Sequence, residues 1–258
     1  MGYVIALAGK GGTGKTTIAA LIIRALKEKK LGSVLAIDAD PNSNLGEVLG
    51  VPAGDNLGAI LDQISADPNK VPAGMAKERF IQHQVQTTIQ EEDGFDLLSM
   101  GKPEGPGCYC YVNNVLRGLM IKLIKDYDYI VVDNEAGLEH LSRRTSRFAD
   151  ILIVVSDASS VGLKSAKRII ELVNTLKFEV KKSFLLINRF NKNIPEDKIK
   201  ETGLEYLGNL PLEPQIEELS LQGRSIFDLK SDAQILTALS LILSNSPLLV
   251  GGARGGGD

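Results

Sequence analysis

The sequence predicts an α/β fold: a doubly wound, mostly parallel sheet flanked by helices. Three observations carry that prediction. Short apolar, β-branched runs recur along the chain, each followed by a stretch with helical spacing. Strands that alternate with helices in this way build parallel sheets covered on both faces. The first run, Tyr3–Ala8, is joined to the first helical stretch, Ile18–Leu26, by the glycine-rich segment Gly9–Thr17. Several runs then close on an acid or amide, at Asp38, Asp133 and Asn188, the sheet edge at which open parallel sheets bind ligands.

The joining segment fits G-x-x-x-x-G-K-[ST], with Gly9, Gly14, Lys15 and Thr16 in the fixed places. That pattern means phosphate binding only between a strand and a helix, and both flanks are present here. The backbone N–H groups of Gly11, Gly12, Thr13 and Gly14, with Lys15, Thr16 and Thr17 opening the helix, are expected to cradle the phosphates of ATP or ADP. Lys15 is expected on the β- and γ-phosphates and the Thr16 hydroxyl on Mg²⁺. The plain alternative is a glycine-rich turn.

Ser33–Asp38 reads as a second buried strand, ending in Asp38-Ala39-Asp40-Pro41. Residues 46–93 carry Pro52, Gly54, Pro68, Pro72 and Gly74 among short helical pieces, with a polar helix expected over Met75–Glu92. This part reads as an insertion. Phe95–Ser99 restores a strand, and Cys108-Tyr109-Cys110 opens a helix expected over Val112–Ile124. Tyr129–Asp133 is an apolar strand closing on an acid, and Leu138–Phe148 is expected to be helical. Strands at Ile151–Val155, Ser183–Asn188 and Glu205–Pro211 follow, with a helix over Val161–Leu176 after the first of these. Helices around Glu213–Leu221 and Ala233–Ser244 close a single domain of residues 1–245, leaving a glycine-rich tail at 246–258.

With 43% apolar and 24% charged residues the 258-residue chain has ordinary globular composition. A net charge of −3 without a basic block argues against nucleic-acid binding. No apolar run reaches the roughly 18–20 residues of a membrane span, and the N-terminus reads as a strand and not as a signal. A cytoplasmic protein is therefore expected, in which two cysteines serve as free, catalytic or metal-binding thiols rather than a disulfide.

Asp40 and Asp133 are the acids expected to hold Mg²⁺ through water or to orient the attacking water, with Asp38 ranked behind them. For Asp40, before Pro41, an Asx turn or helix cap is the plain alternative. Cys108 and Cys110 are the only cysteines of the chain. Two thiolates do not complete a tetrahedral shell, whereas a two-fold axis through the pair supplies four, and soft thiolates suit Zn²⁺, Ni²⁺ or Cu(I) rather than Mg²⁺. A small buried cysteine pair at a helix start is the alternative.

The loop Gly-Lys-Gly-Gly-x-Gly-Lys-Thr-Thr, residues 9–17, resembles the deviant Walker A loop of the ParA, MinD and nitrogenase iron protein superfamily. The resemblance implies an ATP-bound homodimer in which Lys10 reaches the partner's nucleotide. It implies Asp40 in switch I as the water-positioning residue and Asp133 as the Mg²⁺-linked Walker B acid. Asn188 then meets adenine, and Pro211 packs on the base. Gly-Pro-Gly-Cys-Tyr-Cys, residues 105–110, and Val131–Thr145 are similar to the CooC-type nickel-insertion ATPases, over residues 3 to about 245. That likeness implies an ATP-driven metallochaperone delivering nickel to apo carbon monoxide dehydrogenase or acetyl-CoA synthase. Glu139, His140 and Arg143 fall in its switch II helix, where a polar surface is the expected role; His83 is expected to be solvated. A MinD- or ParA-like positioning ATPase is the rival. It is disfavoured because residues 246–258 hold one arginine and no basic amphipathic anchor. An electron-transfer ATPase of the nitrogenase iron protein kind is the third option, disfavoured because that family uses two separated cysteines.

Overall fold

The computed structural model describes residues 2–40, 42, 44–66, 71–72, 74–101, 118, 122–123, 125–134 and 148–248. Strands β1 (Tyr3–Gly9), β2 (Val34–Asp38), β3 (Gln90–Glu92), β4 (Phe95–Ser99), β5 (Tyr129–Asp133), β6 (Phe148–Ser156), β7 (Glu179–Ile187) and β8 (Glu205–Asn209) form one sheet in the order β3-β4-β2-β5-β1-β6-β7-β8. Every described pairing is parallel except β3 with β4. The doubly wound, mostly parallel sheet expected from the sequence is what forms.

The central strands explain themselves. All five residues of β2 and of β5 are buried, as are Val4–Gly9 of β1, and strands covered on both faces read as near-continuous apolar runs, here broken only by the closing acids Asp38 and Asp133. One apolar layer takes Ile5, Leu7, Ala36 and Val131 with helix α1 (Lys15–Glu28); the opposite layer takes Val4, Ala6, Leu35 and Ile130 with helix α5 (Ser160–Thr175). α1 is fixed by more than apolar contact. Buried Arg24 donates from Nη1 to Ile226 O at 2.7 Å and to Leu229 O at 2.8 Å, and from Nε to Glu28 Oε1. From β1 the chain passes to β2 on one side, and from β5 it crosses to β6 on the other, so the strand order reverses at β1 and a crevice opens at its carboxyl end.

Three sequence expectations are corrected. Phe148 belongs to β6 and not to a helix, and β7 starts at Glu179 rather than Ser183; the two extensions pair with each other, Phe148 with Glu179 and Ala149 with Val180. Polar contacts hold this non-apolar stretch. Asp150 accepts Val4 N at 2.8 Å and pairs with Lys181 Nζ at 2.7 Å, linking β1, β6 and β7. The polar helix, α4, runs Lys77–Thr88 and stops before Glu92. Gln90–Glu92 instead forms β3, folded back on β4 through Asp93-Gly94, with Gly94 at φ 80°. That dipeptide is a strong hairpin signal. The rest of the insertion holds α2 (Leu45–Leu49) and α3 (Leu57–Ala66). Beyond the centre lie α6 (Glu196–Lys200), α7 (Pro214–Leu221), a 3₁₀ turn at Ile226–Asp228 and α8 (Gln234–Ser244). No helix among the described residues is long and apolar enough to cross a membrane.

Candidate functional site

The segment from Gly9 to Gly14 leaves the carboxyl end of β1 and turns into α1. One carbonyl organises it: Lys10 O accepts Thr13 N at 3.3 Å, Thr13 Oγ1 at 2.9 Å and Lys15 Nζ at 3.4 Å. Thr13 and Lys15 are therefore buried while Lys10, Gly11 and Gly12 face outward, with Thr16 and Thr17 half-buried at the start of α1. The loop is clasped from the other half of the sheet. Asn188, just past β7, donates from Nδ2 to Thr13 O at 2.9 Å, and its Oδ1 accepts Arg189 N at 3.0 Å. One N–H and one lone pair of that amide remain for a ligand.

Gly14 sits at φ 90°, and a Cβ there would lie 2.4 Å from Asn188 Nδ2. Gly14→Ala is expected to cost about 2–4 kcal/mol, from the left-handed backbone and the broken buried hydrogen bond. In a domain of this size that lowers the melting temperature by roughly 5–15 °C. An unchanged melting temperature would count against the clasp.

Three acids lie at this edge of the sheet. Asp38 and Asp133 stand side by side in the β2–β5 register, both fully buried. The Asp38 carboxylate accepts Leu45 N at 2.8 Å and Asp40 N at 3.1 Å, so it holds the turn that leads from β2 to α2. Asp40, half-buried on that turn, accepts Asn42 N at 2.9 Å. Neither oxygen of Asp133 has a hydrogen-bond partner among the described residues; the Thr16 hydroxyl and the Lys15 ammonium lie near enough to favour its ionised form, without a hydrogen bond of normal geometry. A buried, unpaired carboxylate beside a threonine hydroxyl is a hard oxygen donor set of the kind Mg²⁺ takes.

Burial dominates both titrations. Desolvation pushes Asp38 up to about 7, against the Leu45 bond and with the Asp133 charge; it pushes Asp133 up to about 6, against Thr16 and Lys15. A carboxyl group with a raised native pKa binds its proton more tightly folded than unfolded. Its contribution to stability is therefore full at low pH and is lost as the pH rises through 6 and 7. Asp133→Asn is accordingly expected to raise the melting temperature of the nucleotide-free protein at pH 8 by a few degrees, the gain shrinking toward pH 5. Melting curves at the two pH values check this; an equal gain at both would contradict it.

On the β7–β8 side a cavity of ≈ 370 Å³ opens next to Thr17, lined by Asn188, Arg189, Pro211, Glu213 and Ile216 among others. Asn188 and Pro211 thus share one wall system, reached from the loop through Thr17. Arg189 was not singled out in the sequence. It adopts φ 57°, and its guanidinium reaches toward Gly12 O at 3.5 Å. The Asn188-Arg189 pair directly after an apolar strand was its only signal. Cys108 and Cys110 lie outside the described residues, as do Glu139, His140 and Arg143. Among the described residues no cluster of metal-ligating side chains occurs.

The CobQ/CobB/MinD/ParA nucleotide binding domain model matches residues 4–226, which takes in every described element of this site. The chain belongs to that family. It is a MinD/ParA-type ATPase, with the family's fold and its glycine loop at the sheet crevice. An uncharacterized ATP-binding protein of Methanocaldococcus jannaschii is 42% identical over 237 residues, covering 90% of this chain and 93% of that protein. The carbon monoxide dehydrogenase accessory protein CooC of Rhodospirillum rubrum is 32% identical over 245 residues, 87% of this chain and 89% of that one. Among solved structures, the septum site-determining protein MinD of Pyrococcus horikoshii, complexed with Mg-ADP, superposes with a TM-score of 0.70. It shares 22% identity, with 98% of this chain and 100% of that one covered, and supports the fold.

Proposed function

We propose that this MinD/ParA-type ATPase is an ATP-driven metallochaperone that carries nickel, or zinc, on Cys108 and Cys110 and delivers it to apo carbon monoxide dehydrogenase or acetyl-CoA synthase. The cysteine pair in a chain 32% identical to a carbon monoxide dehydrogenase accessory protein supports the cargo and the client. One structural observation carries the link between ATP and cargo. Met100, where β4 ends and the segment toward the cysteines begins, donates its N–H to Asp38 O at 2.8 Å and accepts Gly58 N at 2.9 Å. The chain that leads to the cysteines therefore leaves from a residue bonded to Asp38, whose carboxylate holds the Asp40 turn.

In this reading Lys15 binds the β- and γ-phosphates, with the N–H groups of Gly11, Gly12, Thr13, Gly14, Thr16 and Thr17 around them. Thr16 and Asp133 hold Mg²⁺, which when bound neutralises phosphate charge. Asp40 orients the attacking water. Asn188 and Pro211 take the adenine in the cavity beside Thr17. Lys10, exposed at the loop's outer edge, contacts the nucleotide of a second copy, so that ATP closes a homodimer. Closing pairs two Cys-x-Cys segments into a four-sulfur site; hydrolysis reopens the dimer and releases the metal.

Metal analysis together with solution mass, with ATP, with ADP and without nucleotide, tests this. One Ni²⁺ or Zn²⁺ per two chains in the ATP-bound dimer is expected. A dimer that forms with ATP but carries no metal under any condition would leave a MinD- or ParA-like positioning ATPase.

A further inference from the structure

Asn134 follows Asp133 at the end of β5 and is 1% exposed. Its Nδ2 donates to Leu7 O, in the neighbouring strand β1, at 2.7 Å. That bond fixes the amide, because turning it over would set Oδ1 against a carbonyl oxygen. So oriented, Oδ1 accepts no hydrogen bond from any described residue, and neither do both oxygens of Asp133. An unmet buried acceptor is costly, and native interiors keep few of them. Here three occur on two consecutive residues, beside the loop that holds Lys15 and Thr16. A strand-end tie to Leu7 explains the nitrogen of Asn134 but not its oxygen.

We propose that Asn134 is a positioning residue of the nucleotide site, its Oδ1 accepting a hydrogen bond from a water molecule in the Mg²⁺ shell that Asp133 faces. The residue type suits the surroundings. Asp38, Asp40 and Asp133 already crowd this end of the sheet with carboxylates, and a further one would add like-charge repulsion. A neutral amide supplies an acceptor for a water O–H without that penalty. The inference rests on the Mg²⁺–nucleotide reading of the site and not on its nickel cargo.

Titration of ADP into Asn134→Ala, with Mg²⁺ and with EDTA, tests it; ADP avoids coupling to dimer closure. Affinity in EDTA should stay within about twofold of the wild type, while the gain on adding Mg²⁺ should fall about tenfold, the loss of one hydrogen bond. Asn134→Asp keeps an oxygen acceptor but sets a carboxylate against Leu7 O. It should lower the nucleotide-free melting temperature while retaining most of the Mg²⁺ gain. Equal losses with and without Mg²⁺ in Asn134→Ala, or a lost gain in Asn134→Asp, would assign the residue a purely structural role and overturn the proposal. Wild-type protein showing no Mg²⁺ gain would instead refute the Mg²⁺ assignment itself, a distinct outcome.

Discussion

Lys15→Ala is expected to weaken ATP binding by roughly a hundredfold or more and to take hydrolysis below detection, because charge-assisted hydrogen bonds to phosphate are worth about 1.5–3 kcal/mol each. The ammonium is already placed for this. It is buried and folded back onto Lys10 O, so little side-chain entropy remains to be lost on binding. The same charge favours ionised Asp133. Its removal should therefore steepen the loss of nucleotide-free stability between pH 5 and 8, a second readout independent of ATP. Lys10→Ala is the contrast. Lys10 is exposed and gives the loop only its backbone carbonyl, which alanine retains. ATP binding to the monomer should survive in that variant while ATP-dependent dimerisation and hydrolysis are lost. Isothermal titration with analytical ultracentrifugation separates the two. Wild-type ATP affinity in Lys15→Ala would refute the phosphate role, and wild-type dimerisation in Lys10→Ala the trans contact.

The parts of this molecule that the sequence disclosed are those whose physics is local or periodic. β1, β2 and β5 are apolar along their length, up to the acids that close β2 and β5, because both faces are covered, and the glycine loop needs its residues within one short span. What stayed hidden depends on partners distant in sequence. The polar half of β7, Glu179–Lys182, is a strand because β6 pairs with it and Asp150 holds Lys181; no alternation of its own announces it. β3 was hidden for the same reason, although Asp93-Gly94 was a readable turn. Within the site, the spacing of Asp38, Asp40 and Asp133 from the loop was legible, but their division of labour was not. Asp38 holds the backbone N–H groups of the turn that follows it, whereas among the described residues none reaches Asp133, and the two strand-end acids look alike in sequence. The clasp of Asn188 on Thr13 spans 175 residues, a distance at which a single sequence carries no signal.

Cys108→Ser or Cys110→Ser is expected to abolish metal binding and any metal-promoted dimer while leaving ATP affinity near the wild-type value. The argument begins with ligand number. One chain offers two thiolates, and a closed soft-metal site wants four, so a monomer should bind Ni²⁺ or Zn²⁺ weakly. A two-fold axis supplies the other two, and the binding free energy of the metal then becomes free energy of association. If ATP also favours the closed dimer, linkage requires each ligand to raise the other's affinity by the same factor. ATP should therefore tighten metal binding in the wild type, and metal should tighten ATP binding equally; in either serine variant this mutual effect should vanish while the ATP-only affinity remains. For Ni²⁺ the shared site should show thiolate-to-metal charge-transfer absorption at one metal per two chains. In the proposed reading the Met100–Asp38 bond would give the coupling its route, because Asp38 also holds the Asp40 turn. One metal held tightly per monomer, or metal retained by the double serine variant, would refute a site shared between chains. Metal binding indifferent to ATP would keep the site but cut its connection to hydrolysis.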